Sequence, residues 1–289
     1  MKITCLSTSV SPITHALGTI GNESIVNSED VRTPLGNRRV PVISGNAIRH
    51  RMLRAPGADN LCEVLDLNGE LTRDQLNLLY HGGLKREKAK RPSLSRIADM
   101  QRLFPLLRLL GVCLPEAIVS GEIKSQRAIL VCRENQSRIE STVPEEWRED
   151  LPRLAPATSF VERWQYVRGK LTHAKAANTP DETDDDESKM MPFAGTCVVP
   201  NSCWLHGFWW PDYDDETQSL LLGCVLSCVR KWDRDGASIG GQSSRGHGVL
   251  SLSMHVEAEI DQDEAVEAYE RHIIENREEC RDFLLGCYA

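Results

Sequence analysis

Three short segments carry residues whose types and spacing suit a polyanion backbone. The first is Ile43-Ser44-Gly45-Asn46-Ala47-Ile48-Arg49-His50-Arg51-Met52-Leu53-Arg54. A strand ends there, Ser44 suits the N-cap of a helix over about Asn46–Leu53, and basic residues follow. A helix N-terminus offers free N–H groups and partial positive charge, which is where a phosphate sits well. Gly45 lets such an anion come close to the main chain. Arg49, His50, Arg51 and Arg54 stand in the first turns. The second segment is Ile239-Gly240-Gly241-Gln242-Ser243-Ser244-Arg245-Gly246-His247-Gly248. Successive N–H groups in a glycine-rich loop form an anion-binding nest, and Arg245 adds a cation. The spacing lacks the Lys-Ser/Thr pair of a nucleoside triphosphate loop. The third is Arg163-Trp164-Gln165-Tyr166-Val167-Arg168-Gly169-Lys170. There aromatic rings can stack on bases while Arg163, Arg168 and Lys170 hold phosphates. Each segment also has a plain reading: a capped helix with arginines in water, a surface loop, and a hairpin whose aromatics face the body.

Catalytic chemistry has little to build on. None of the eight histidines makes an i, i+4 metal pair with a third ligand in view, and Ser243 and Ser244 lack the nucleophile elbow. The ten cysteines include no Cys-x-x-Cys pair, so a structural zinc is not expected. Free thiols in a reducing cytoplasm are expected. The acidic run Asp181–Glu187 has six acids in seven residues and no apolar scaffold to raise a carboxylate pKa. No metal, cofactor or catalytic residue is expected.

A net charge of −8 argues at first against a nucleic-acid partner. Its distribution argues the other way. Val31–Arg127 holds 17 Lys and Arg against 9 Asp and Glu, a local +8, which leaves −16 for the rest of the chain. A basic region on an acidic body binds a polyanion in one place. The 289 residues fit one large domain with insertions or two smaller ones. Apolar runs are broken well short of the roughly 18–20 residues of a membrane span, and Met1–Thr8 alternates like a strand, not like a signal peptide. No membrane partner is expected.

Several elements must position these segments. The pattern predicts strands over 1–10, 121–132, 204–210 and 249–256. Residues 11–40 read as a Gly/Ser/Thr/Asn-rich connection ending in a turn at Thr33–Asn37. Helices are expected within 60–112, over 218–231, and as one closing amphipathic helix over 263–285. Residues 160–172 and 190–199 read as the arms of an inserted hairpin with the acidic run at its tip, and 144–156 as a polar loop. The order suggests α+β with an antiparallel sheet.

The segments in this order resemble the RAMP superfamily of CRISPR-associated proteins, and within it the Cas-seven family of backbone subunits of Class 1 effector complexes. The matching runs are Pro-x-Ile-Ser-Gly-Asn-x-Ile-Arg-x-x-x-Leu-Arg (Pro41–Arg54), Leu-Leu-Gly (Leu109–Gly111) feeding the Ser120-Gly121 strand, and Ile-Gly-Gly-x-x-Ser-Arg-Gly-x-Gly (Ile239–Gly248). The hairpin arm at Met190–Phe193, with Gly195-Thr196 beyond, fits as well. Type IV is the subtype it looks most like, then type I-D. The resemblance implies a modified RRM/ferredoxin-like palm (1–54, 121–156 and 193–289), a helical finger insertion (55–120) and a β-hairpin thumb (157–192). It implies copies stacked along a guide RNA (crRNA), other Cas subunits, and a target nucleic acid, DNA by preference. Such a subunit grips phosphates and shape, so it accepts any guide sequence. The RNA-binding set is then Ser44, Gly45, Asn46, Arg49, His50, Arg51, Arg54, Arg163, Arg168, Lys170, Gly240, Gly241, Ser243, Ser244 and Arg245. Related type III subunits cleave target RNA with an aspartate in the loop before the capped helix. Here that place falls near Asn27-Ser28, so no cutting is expected unless Glu29 or Asp30 occupies it. The alternatives are a target-cleaving backbone subunit, a guide-processing ribonuclease using His15 or His50 as base, and an unrelated metabolic enzyme.

Overall fold

Ile3 and Cys5 are fully buried on β1 (Lys2–Ser9), an inner strand paired with a neighbour on each side. The computed structural model describes residues 1–20, 23–34, 36–84, 93–149, 151–167 and 192–288. The stretch expected as a connection is instead four strands: β2 (Ala16–Ile20), β3 (Glu23–Val26), β4 (Ser28–Thr33) and β5 (Gly36–Ile43). Their polar composition hid them, because β2 and β3 lie in a small outer sheet and most of β4 is half-exposed or exposed. Pairing, not burial, makes such strands.

The chain then enters α1 (Gly45–Ile48), and the helix continues past the expected end at Leu53 through a widened turn, Arg49–Arg54, into α2 (Ala55–Val64). In that turn the Ala55 N–H donates to the His50 carbonyl five residues back. It ends just before Pro56, which has no N–H to give the ladder. Helix α3 (Arg73–His81) follows as expected, and the helical stretch expected to end near Leu110 is broken at Phe104, before Pro105, into α4 (Leu94–Leu103) and α5 (Pro105–Leu110). The pair β6 (Val112–Cys113) and β7 (Ile118–Val119) leads back to β8 (Lys124–Ser125) and β9 (Ala128–Leu130). A helix that the sequence reading did not include, α6 (Gln136–Thr142), follows. The hairpin arms are β10 (Val161–Val167) and β11 (Pro192–Val198). Then come β12 (Cys203–Trp209), α7 (Asp215–Arg234) and β13 (Leu250–Val256). The closing helix is two, α8 (Gln262–Glu275) and α9 (Arg277–Leu285), broken at Asn276.

The main sheet runs β13-β1-β12-β9-β5-β4, with β8 also on β12, and every pairing is antiparallel. The fold is therefore α+β, as expected. A second sheet runs β10-β11-β3-β2, so the hairpin root is tied to residues 16–26 through a parallel contact of β11 with β3. One main core joins the sheet to the helices: Ile3, Trp204 and Phe208 pack in the same cluster as Leu61, Phe104, Leu226 and Tyr269. Helices α7 and α8 approach so closely that a Cβ at Gly223 would stand 1.9 Å from the Ala265 carbonyl oxygen. On the opposite face, α6 covers a smaller cluster of Ile129, Val131, Ile139, Val143 and Leu205.

Candidate nucleic-acid interface

The two glycine segments meet on one dipeptide, Thr14-His15. The Ser44 N–H donates to His15 Nε2 at 3.1 Å, while the Gly241 N–H donates to the Thr14 carbonyl at 2.7 Å. His15 must be neutral there, with its proton on Nδ1, since Nε2 accepts. Burial holds its pKa below the ordinary value. On the same side, the Thr14 hydroxyl lies 2.7 Å from His247 Nδ1, and Trp164 of β10 meets the His247 ring edge-on at 6.5 Å between centroids. The helix start, the glycine loop and the hairpin root thus share one joint.

Two of the glycines here, Gly45 and Gly240, answer a close approach. A Cβ on Gly45 would stand 2.5 Å from the Ser125 carbonyl oxygen, and one on Gly240 2.7 Å from that of Thr14. Gly240 also has φ +82°, and Gln242 beyond it is left-handed at φ +63°. This backbone turns at Gln242 and again at Gly246 around the short helical turn Ser243–Arg245, and Arg245 is exposed. Ser44 caps α1 as expected, its hydroxyl accepting from the Ala47 N–H at 3.2 Å. Asn46 and Arg51 are exposed, and Arg49 and His50 are half-buried. The His50 ring stacks on His81 with centroids 5.8 Å apart. Burial, then Arg51, His81 and Arg54, hold its pKa below the usual histidine value.

Arg54 corrects the expected set. It is 6% exposed and spends its guanidinium on the Leu79, Leu110 and Gly111 carbonyls, at 3.3, 3.0 and 2.7 Å. Leu79 and Leu110 lie in the last turns of α3 and α5, where carbonyls have no partners within their own helices, and Gly111 caps α5. Burial, with help from Arg49, lowers its pKa to about 10. The widened turn carries Arg54 inward, so it locks helices together and reaches no outside ligand.

In the hairpin, Arg163 is exposed and lies 3.4 Å from Glu23 Oε1. Trp164 turns toward the body, where its ring would be 2.7 Å from a Cβ on Gly195. That is the plain reading of this residue. Arg168, Lys170 and the acidic run 181–187 lie outside the described residues, as does the side chain of Ser244.

Sequence reasoning missed Arg127 and Arg138. Both bind Glu29, Arg127 Nη1 at 2.5 Å from Oε2 and Arg138 on the other carboxylate oxygen. Arg127 and Glu29 line a cavity of about 370 Å³ together with Asn27, Ser28, Ser44, Gly45 and Asn46. No local pattern marks the two arginines, because they reach Glu29 from parts of the chain about a hundred residues on. Asp30 is exposed and stands opposite Arg39 across the β4–β5 pair. Among the described residues no three His, Cys, Asp or Glu side chains group as a metal site, and no helix is long and apolar enough to cross a membrane.

The fold is α+β: an antiparallel sheet with its main helices on one face, α6 on the other, and a second sheet that carries the hairpin. It is similar to that of a chain in a solved structure described as "Type IV-B CRISPR Complex". The TM-score is 0.57 at 15% identity, over 90% of this chain and 93% of that one. No protein-family model matches the sequence, and no curated protein does.

Proposed function

We propose that this chain is a backbone subunit of a CRISPR effector ribonucleoprotein, holding guide RNA by its phosphates and stacking with further copies along it. The observation that carries this is the Thr14-His15 joint. It sets a helix N-terminus and a glycine-rich loop, about 195 positions apart in sequence, side by side. Arg49, Arg51 and Arg245 stand at their edges, and no base-reading arrangement is needed for such a grip. The likeness in fold to a chain of a type IV-B complex, in nearly full overlap, favours the same assembly class. Other Cas subunits and a target nucleic acid, DNA by preference, belong to this reading.

The subunit is proposed to hold and not to cut. Glu29, the carboxylate nearest the place where related subunits cleave, has both oxygens occupied by arginines. A carboxylate engaged in this way is poorly placed to take a proton or a metal ion. The test is RNA retained by purified protein, read by its absorbance ratio at 260 over 280 nm and by binding to unrelated RNA sequences. Arg49→Ala and Arg245→Ala should each weaken binding to all sequences alike and lower the slope against log salt by about one. Undiminished RNA retention in both variants overturns the cradle.

A further inference from the structure

A wide, open cavity lies away from the cradle. It has a volume of about 1110 Å³ and opens where β1 begins, β12 ends and α7 starts. Its walls include Trp209, Trp210, Asp212, Asp215, Gln218 and Glu259. Two buried polar atoms there have no hydrogen-bond partner: the Trp210 indole N–H and the Gln218 side-chain oxygen. Trp210 is 3% and Gln218 7% exposed. One lacks an acceptor and the other a donor, which a peptide segment supplies together from its own carbonyl and N–H groups. Trp209 is 45% exposed, an unusual position for an indole with no partner on it. Lys2 already pairs with Glu257 and the Met1 amine with Asp212, but Asp215 and Glu259 have no ion pair among the described residues. The site asks for a cationic segment.

The chain itself carries one. From Val31 to Arg39 the β4–β5 hairpin has three arginines, Arg32, Arg38 and Arg39, and no acid. All three are exposed. Arg39 faces Asp30 across the pair, whereas Arg32 faces Asn37 and Arg38 faces Val31. The hairpin cannot reach the cavity of its own molecule. β4 is the edge of the sheet, four strands beyond β1. β5 runs in the same direction as β12, since both are antiparallel to β9. The cavity lies where β12 ends, so the hairpin tip, where β5 starts, is at the opposite end of the sheet as well as at its edge.

We propose that the cavity receives the arginine-bearing β4–β5 hairpin of a second copy of this chain. Arg32 and Arg38 meet Asp215 and Glu259, and the segment's peptide groups satisfy Trp210 and Gln218. Because donor and acceptor surfaces lie at opposite ends of the molecule, the contact is head-to-tail and leaves a free cavity and a free hairpin at the two ends, so the array grows. This deepens the stacking part of the proposed function and rests on it, but it does not depend on RNA being bound.

The test is sedimentation velocity of nuclease-treated full-length protein over a concentration series. The natural chain should show assemblies larger than a monomer that grow with concentration. D215R/E259R and R32E/R38E should each sediment as monomers with unchanged circular dichroism. An equimolar mixture should recover the assemblies, because each reversed surface then faces its complement. Monomeric natural chain at every concentration, association surviving either double reversal, or a mixture that stays monomeric overturns the proposal. So does capture of the hairpin variant by a different protein through the same cavity. Retention of RNA is read separately on the same samples, so a failure of docking is distinguishable from a failure of the RNA reading.

Discussion

His15 Nε2 accepts the backbone N–H of Ser44 at 3.1 Å, and this one bond joins the helix that starts the first basic segment to the strand-end dipeptide that carries the glycine loop. Ser44 is thus held twice, by its N–H on His15 and by its hydroxyl on the Ala47 N–H. Removing the acceptor in His15→Ala leaves a partly buried N–H without a partner. The expected cost is about 1–2 kcal/mol, read as a lower denaturation midpoint in urea. RNA retention should fall with it, since the two segments lose their common anchor. Retention equal to that of the natural chain would separate the joint from the binding site.

Acid should destabilise this protein through its buried neutral histidines. His206 is fully buried and its pKa falls to about 4 from 6.5, and those of His15, His50 and His247 are lowered too, each first by burial. The unfolded chain takes up these protons near pH 6.5, whereas the folded chain resists them. Stability is therefore full above pH 6.5 and falls as the pH drops toward 4. For His206 alone the loss is about 3 kcal/mol. Thermal midpoints measured across this range check the sign, and His206→Gln should flatten the curve while lowering its top.

Arg54 binds carbonyls at two helix ends, so its loss should act on stability and not on RNA. Arg54→Met keeps the apolar stem and removes the hydrogen bonds. Charged hydrogen bonds to buried groups contribute roughly 1.5–3 kcal/mol, and a loss of that order is expected in the urea midpoint. Folded protein should retain RNA as before. A selective loss of RNA with unchanged stability would return Arg54 to the binding set.

Gly45 and Gly240 should resist even one added methyl. A Cβ at either position comes within 2.5–2.7 Å of a backbone oxygen, whereas one at Gly18 meets nothing within 4 Å. Gly45→Ala and Gly240→Ala should each destabilise by about 1–3 kcal/mol through overpacking. Gly18→Ala serves as the tolerated control. Equal midpoints for all three would show that the joint yields.

Glu29 neutralises two arginines beside the capped helix. Glu29→Gln should release them and tighten RNA binding at low salt, with the gain vanishing as salt screens it. Target RNA offered to the assembled complex should stay intact in both forms. Efficient cutting that disappears in Glu29→Ala or Asp30→Ala would make this chain a nuclease.

Much of the architecture was legible in the pattern of residues. Alternation marked β1 and β13, an apolar run marked β12, Ser44 marked the cap, and the run from Leu220 to Cys228 marked α7. The strands β2 to β5 were not legible, because polar residues at a sheet edge look like a loop until a partner strand is found. The break at Asn276 was hidden by apolar spacing that continues in phase from α8 into α9. In the candidate site, Arg54 illustrates the limit. Its spacing from Arg49 and Arg51 is that of a surface stripe, but the widened turn rotates it into the core.

By itself the sequence determined which groups could hold an anion: a capped helix start, a glycine loop and a basic region on an acidic body. These follow from local propensity and composition, which act over a few residues. Only the tertiary structure decided that the two segments share Thr14-His15, that Arg127 and Arg138 close on Glu29, and that Arg54 faces inward. Those are contacts between residues far apart in the chain, set by strand register and helix packing. The folded arrangement also placed the arginine hairpin and the acidic cavity at opposite ends of one sheet, a relation that no stretch of sequence contains.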